Sequence, residues 1–483
     1  MSPDREAFLI HVGELLGPRG LTRDPDLIAP WLTDWRGRFT GKALAMAAPA
    51  TREELAALLA LCASRGVPVV PQGGNSGMSG GATPSGDGSA LLLSLRRMTA
   101  IRKIDTDNRT AICEAGVVLQ SLHEAAAAQG LRFPLSLGGK GSATVGGMIA
   151  TNAGGTQVLR HGSMRRLVLG LEAVLADGSL YSALTPLKKD NRGFDLKQLF
   201  IGSEGTLGVV TAATLQLVPQ IAERVVVWAG ISSIRAARTL LEHCDRAMGE
   251  ALEGFEVLPQ SSLDAVLQHQ AGTRAPLRQD HPWHALIELV ADERGAATLH
   301  ERATAMLGEA FDKALLDDAA VSACEAQAEA FWALREGIPA AQRAKGAAVQ
   351  HDISVPAGQM PDFIESAGSA IEAEWPGTQT FCFGHLGDGN VHFHVVAPPG
   401  AVRGEWELRE GKAISRRVHD LVTQWSGSIS AEHGIGQLKR EELERLGDPV
   451  ALDLMRRIKA ALDPADLLNP GKLVTLAPRP SKP

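Results

Sequence analysis

The sequence predicts an α+β protein of two main domains, and three observations carry that prediction. Residues 51–218 alternate short β-branched runs with helical patterns. Glycine in this half concentrates in two stretches, PQGGNSGMSGG (71–81) and GGKGSATVGGMIATNAGG (138–155). Beyond Pro219 the texture changes to longer strand-like and helical segments. With 483 residues, 45% of them hydrophobic, the chain can bury the cores of two or three domains. We expect domains at 1–220 and 221–460. The segment 461–483 contains LDPADLLNPGKL, a Pro-punctuated turn sequence, and is read as returning to the first domain. There is no internal repeat, low-complexity linker or coiled-coil heptad.

In chain order, a helix at 53–65 is followed by a strand at 67–70, and the first glycine stretch comes directly after. Glycine at that density implies turns with positive φ, or close approach of the backbone to something else. Past the boundary, strand-like 224–231, helical 234–248, strand-like 284–290 and helical 294–307 suit an antiparallel sheet with helices on one face. Later, TFCFGHLGDGNVHFHVV (380–396) reads as strand, turn and strand around Gly387-Asp388-Gly389-Asn390.

Composition removes several function classes. The formal net charge is -7 and the basic residues are interspersed, so no face is laid out for a phosphate backbone and nucleic acid is not expected as a partner. The five cysteines are widely spaced without a C-x-x-C pair, which argues against a disulfide framework and a thiolate metal site. Asp4, Arg5 and Glu6 precede a short amphipathic stretch that lacks the features of a signal peptide. The longest uncharged run, 141–159, is rich in Gly, Ala, Thr and Asn and is not a membrane span. A cytoplasmic protein without a transmembrane segment is expected.

A glycine-rich loop after a strand lets backbone N–H groups converge on a pyrophosphate. A Rossmann fingerprint would need G-x-G-x-x-G opening a helix, yet Gly81 is followed by ATPSGDGSA, which reads as loop. Gly139-Lys140-Gly141 and Gly471-Lys472-Leu473 both fail the Walker A pattern. Gly77-Met78-Ser79-Gly80-Gly81 matches G-x-S-x-G without the strand-to-helix turn of a nucleophile elbow. Simple tight turns are the remaining alternative.

PQGGNSGMSGG, GGMIATNAGG and DLKQLFIGSEGTLGVVT, in this order and spacing, resemble the FAD-binding domain of the vanillyl-alcohol oxidase and p-cresol methylhydroxylase family. The resemblance continues through the C-terminal half and is nearest to the D-2-hydroxyglutarate and D-lactate dehydrogenases. It implies an α+β fold in which a vanillyl-alcohol-oxidase-type FAD domain is joined to a substrate (cap) domain built on an antiparallel sheet. It further implies that Pro71, Gly73, Gly74, Asn75, Ser76, Gly77 and Met78 wrap the pyrophosphate. Leu137, Gly138, Ser142, Thr144, Val145, Gly147, Asn152 and Gly154 would line the rest of the dinucleotide. Glu204, Gly205 and Val209 would close the adenine end, with Asn469 also at the cofactor. Relatives with covalent flavin often carry a histidine in the pyrophosphate loop; Asn75 there implies FAD held without a covalent bond.

His392 and His394 are two apart on one strand and so share a face, and the turn can bring His385 beside them. A lone histidine would be an ordinary surface residue, but three around one turn suggest more. Two imidazoles and a carboxylate make a good divalent site, usually for Zn²⁺. The resemblance supplies the carboxylate, because GHLGDGNVHFH and SAEHGIG look like its metal and active-site motifs, carried by His385, His392 and Glu432. Glu432 could otherwise be a helix cap or a solvated acid. His433 is the natural general base beside it.

Arg335, at the end of an aromatic-flanked helical run, is a surface charge on the plainest reading. The resemblance assigns it to the substrate's distal carboxylate, a task suited to a planar fork of donors. Three positions depart from the hydroxyglutarate enzymes: Pro339 stands for a threonine, Gln350 for a lysine, and His394 for an asparagine. Gln350 and His394 are still expected at the substrate.

The expected activity is therefore oxidation of D-2-hydroxyglutarate to 2-oxoglutarate, with hydride to FAD and proton to His433. D-lactate or another D-2-hydroxy acid is the alternative substrate. A zinc hydrolase and a non-catalytic flavoprotein subunit are the competing classes, separated by flavin absorbance and by bleaching with a hydroxy acid. An external acceptor is implied, with an electron-transfer flavoprotein, a quinone or a cytochrome all admissible, and a homodimer is left open.

Overall fold

Thr51 starts the helix Arg52–Arg65 because its hydroxyl accepts the N–H of Glu54 at 3.1 Å, and Gly66 ends it in a left-handed conformation with φ 62°. The strand Val69–Gln72 follows, two residues later than the sequence pattern places it. It pairs in parallel with Leu91–Ser94 at the edge of a four-stranded sheet completed by Met46–Ala47 and Leu21–Thr22. A second, antiparallel sheet has the order Ile101–Asp105, Thr110–Glu114, Val209–Gln216, Val168–Val174 and Leu180–Ala183. One apolar core joins these elements, from Phe8 on the first helix to Leu468 near the C-terminus.

The computed structural model describes residues 3–476, and the chain forms two compact units. Among the described residues, the first unit comprises those up to Gly154, Gly162–Pro219 and those from Glu432 onward, and the second comprises Gly155–His161 and Gln220–Ala431. This differs from the expected partition in two places. Residues 155–161 belong to the second unit, because Arg160 pairs with buried Glu253 at 2.9 Å and Leu159 fills the space beside Gly387. Residues 432–460 belong to the first. There Lys459 is fully buried and donates to the carbonyls of Thr206 and Leu468 at 2.9 and 2.8 Å. The return thus begins at Glu432 rather than at 461, while 477–483 lie outside the described residues.

The second unit is built on seven antiparallel strands in the order Asp318–Val321, Glu223–Ile231, Trp283–Ala291, Leu252–Pro259, Gln379–His385, Asn390–Val396 and Ala348–Ser354. Helices cover both faces, not one as expected. Ile234–Met248, Ala296–Asp312, Met360–Glu374 and Glu405–Gln424 pack on one side. Gln260–His269 and Glu325–Lys345 cover Trp228, Leu258, Leu286 and Phe383 on the other. The second cover is required because these strands carry apolar side chains on both faces, so one layer of helices would leave large residues such as Trp228 in water.

Candidate active site

The two glycine stretches meet within the first unit. A Cβ on Gly73 would run into the Thr144 hydroxyl and one on Gly74 into the Ser142 carbonyl oxygen, so only glycine allows the 73–74 and 142–144 backbones this approach. Thr144 caps the short helix Val145–Ala150, which contains Val145 and Gly147. Asn75 holds a left-handed conformation with φ 52° and donates from Nδ2 to the Thr33 carbonyl at 2.9 Å, which fixes the bend of the loop. A Cβ on Gly77 or Gly138 would meet nothing within 4 Å. Part of the loop therefore packs on protein while part borders open space, which suits backbone donors that must face a dinucleotide. Asn152 is also left-handed, and its Oδ1 accepts from Ser163 Oγ and the Arg165 N–H at 3.0 and 2.9 Å. Gly205 packs against Pro71, and Val209 opens a buried strand of the five-stranded sheet.

Glu204 has a further task that the sequence does not reveal. Buried and left-handed, it accepts the N–H groups of Ile435 and Gly436, each at 2.7 Å. Burial pushes its carboxyl above the usual range, opposed by those two N–H groups and by Lys439 and Lys472. Lys472 is itself pushed down to about 8, chiefly by burial. Ser79 Oγ donates to the Gly434 carbonyl at 3.1 Å, and Asn469 Nδ2 donates to the Gly81 and Glu204 carbonyls at 2.9 and 2.7 Å. The segment that begins with Glu432 and His433 is thereby tied to the first glycine loop and to Glu204.

In the second unit, strand register places the histidines. Phe383 lies opposite His392, His385 opposite Asn390, and Phe381 opposite His394. Gly384, at φ 152°, lets the hairpin close, because a Cβ there would strike the Asn390 carbonyl oxygen. The His385 and His392 rings stand 5.8 Å apart, centroid to centroid, and Phe383 lies 5.0 Å from His392. Burial, then the charge of Arg335, pushes His392 well below the usual imidazole range, so it is neutral with a lone pair available. A neutral imidazole at His392, with the His385 ring beside it, fits the donor set of a divalent metal. On the neighbouring strand Gln350 pairs with His394, and Asp352 pairs with His392 while accepting from Asn390 Nδ2 at 2.9 Å. The sequence reading missed Asp352; its signal was a carboxylate two residues beyond Gln350 on the same strand face.

Arg335 is buried on the helix Glu325–Lys345, not a surface charge. Its guanidinium lies 4.9 Å over the Phe383 ring, and its Nε donates to Glu256 at 2.7 Å. Pro339 sits inside the same helix, where it has no N–H to offer the Arg335 carbonyl. Two turns past Arg335, the Gln342 side-chain oxygen accepts from His394 Nδ1. Glu256 and Gln342 were also missed.

Residues 43–183 match the model of the FAD binding domain family and residues 221–473 that of the FAD linked oxidases, C-terminal domain. The chain is 34% identical over 461 residues to D-2-hydroxyglutarate dehydrogenase, mitochondrial, of Arabidopsis thaliana, covering 95% of this chain and 80% of that protein. It is 36% identical to that of Bos taurus, covering 95% and 82%. The D-2-hydroxyglutarate dehydrogenase of Xanthomonas citri pv. viticola is 35% identical, covering 94% of both chains. Among solved structures, p-cresol methylhydroxylase with substrate bound superposes with a TM-score of 0.75 at 14% identity, over 98% of both chains, a likeness of fold. These relatives overturn the expected cytoplasmic location, since the plant and animal proteins are mitochondrial while the Xanthomonas protein's name gives no compartment. No helix among the described residues is long and apolar enough to cross a membrane. The chain belongs to the D-2-hydroxyglutarate and D-lactate dehydrogenase group of the vanillyl-alcohol oxidase and p-cresol methylhydroxylase family, and is an FAD-dependent oxidoreductase.

Proposed function

We propose that the protein oxidises D-2-hydroxyglutarate to 2-oxoglutarate, the C2 hydrogen passing as hydride to FAD and the hydroxyl proton to His433. The observation that carries this reading is the similarity to D-2-hydroxyglutarate dehydrogenases over 95% of the chain. FAD would be held without a covalent bond by the loops around Gly73–Met78 and Gly138–Gly147, together with Asn152, Gly205, Val209 and Asn469. A divalent metal, Zn²⁺ first, would be held by His385, His392 and Glu432. When bound, flavin supplies the two-electron sink and the metal supplies Lewis acidity toward the 2-hydroxyl. Arg335 would present its terminal N–H groups to the distal carboxylate, with Gln350 and His394 lining the same end as neutral hydrogen-bonding groups. His433, next in sequence to a ligand, would accept the hydroxyl proton on an imidazole nitrogen. An external electron-transfer flavoprotein, quinone or cytochrome would reoxidise the enzyme.

Pro339 and Gln350 favour a second reading, since they withdraw a hydroxyl and a charge from the distal anion pocket. On that reading D-lactate or another D-2-hydroxy acid is preferred. An anaerobic panel of D-2-hydroxy acids, followed by flavin bleaching, decides between them. D-2-hydroxyglutarate should bleach the flavin at lower concentration than D-lactate. The reverse order selects the second reading, and no bleaching by any acid removes both.

A further inference from the structure

Three buried carboxylates stand on the central strands of the second unit. Glu253 holds Arg160 at 2.9 Å, and Glu288 holds Arg224 at 2.5 Å and the Trp332 N–H at 3.2 Å. Each neutralises a cation and thereby fastens a neighbouring segment. Glu256 differs in its partners. It is 1% exposed, on the strand Leu252–Pro259, directly opposite His385. One oxygen accepts from Arg335 Nε at 2.7 Å, and the other lies 3.1 Å from His385 Nε2. Its two oxygens thus reach the two kinds of residue on which the proposed function depends, one for the metal and one for the substrate.

We propose that Glu256 is a positioning residue that orients His385 toward a divalent metal and Arg335 toward the substrate's carboxylate, so that the two sites share one support. The inference rests on the reading of His385 and Arg335 given above. A carboxylate that accepts from Nε2–H fixes that tautomer and places the ring's lone pair on Nδ1; such a partner also makes the imidazole a stronger ligand. On the other side, committing Nε leaves the two terminal nitrogens of the guanidinium as donors for a ligand carboxylate. Phe383 supports the plane from below, so the fork has one orientation rather than many. The anion of Glu256 is matched by Arg335 at 2.7 Å, and Asp388 Oδ2 lies 3.5 Å from Nδ1, the other nitrogen of the His385 ring. Placement on a central strand, paired on both sides, gives the rigidity that a shared support requires. An amide in place of the carboxylate could accept from one partner only and would turn its N–H₂ toward the other.

The test is Glu256→Gln in the full chain, with Zn²⁺ affinity measured by competition against a chromophoric chelator, and KM and kcat for D-2-hydroxyglutarate measured at saturating Zn²⁺. Flavin content should match the wild type, since the substitution lies outside the glycine loops. Zinc affinity should fall by roughly ten- to a hundredfold, the usual cost of losing a ligand's carboxylate partner. KM should rise by a larger factor than kcat falls, because Arg335 is assigned to binding. If Glu256→Gln does not fold, Glu256→Asp serves with the same readouts; it keeps the charge but withdraws it by one methylene, and both readouts should weaken by smaller factors. Wild-type zinc affinity and KM in the folded variant overturn the proposal alone. A wild-type protein that binds no zinc overturns it together with the metal reading.

Discussion

The first unit builds its glycine loops from backbone and the second builds its histidine hairpin from side chains, and the two fail in different ways. In the glycine loops the working groups are peptide N–H and C=O, and the sequence's contribution is the absence of Cβ atoms. In the histidine hairpin the backbone is an ordinary ladder, and the chemistry lies in which side chains the register places on one face. A backbone site should therefore be broken by adding a methyl group, and a side-chain site by removing a ring or a carboxylate.

The largest expected effect is at Gly74. Its Cβ would collide with the Ser142 carbonyl, a backbone atom that cannot rotate away, so Gly74→Ala should yield protein without bound flavin, read as the absorbance ratio of flavin to protein. Gly77→Ala sharpens the comparison. Nothing lies within 4 Å of the position, so the variant should fold normally and lose flavin affinity only through what the loop must approach. Full flavin content in Gly74→Ala would mean that the 73–74 and 142–144 segments need not touch.

In the side-chain site, His385→Ala or Glu432→Ala should abolish turnover while leaving FAD bound, and treatment with a chelator should do the same to the wild type. Parallel loss of flavin would break the separation of the two kinds of site. Near-native turnover in either variant would remove that residue from the metal.

How far each site could be read from sequence follows from the same difference. Glycine runs and the Gly-Asp-Gly-Asn turn are local signals, so the loops and the hairpin are visible with little more than spacing. The helix Ile234–Met248 has the same bounds in sequence and structure for that reason. Glu256, like Glu253 on the same strand, left half a signal, an acid in a largely apolar run, which implies a partner somewhere. That partner, Arg335, is 79 residues away, and no local pattern names it. The early return of the chain was hidden for the same reason, since the bond from Ser79 to Gly434 spans 355 residues. Gly434 and Gly436, at φ 73° and 54°, mark sharp bends where that return begins.

His433 gives a smaller, graded effect. If it accepts the hydroxyl proton, His433→Ala should keep flavin and metal but slow flavin reduction by roughly a hundredfold or more, the usual contribution of a positioned base. Stopped-flow reduction under anaerobic conditions reads this step directly, and substrate affinity should change less. A variant that reduces its flavin at nearly the wild-type rate would pass the role to another group, with His394 the first to test.

The smallest expected effect is a dependence of stability on pH that arises in the second unit. His284 is buried, accepts the Trp228 N–H on Nδ1 at 3.0 Å, and lies with Nε2 2.7 Å from the Gln260 side-chain oxygen. Those partners suit the neutral ring with its proton on Nε2, and a second proton on Nδ1 would face a donor. Burial first, then the charge of His281, pushes the group down to about 4. Between pH 6.5 and 4 the unfolded chain therefore binds more protons than the folded one, and stability falls as pH is lowered through that window. The whole effect is at most about 3 kcal/mol, from the size of the shift. Urea midpoints measured from pH 7 to 4.5 should decline. In His284→Asn, whose amide oxygen can still accept from Trp228, stability should start lower at pH 7 and decline less. An unchanged slope in that variant would assign the acid sensitivity to other groups.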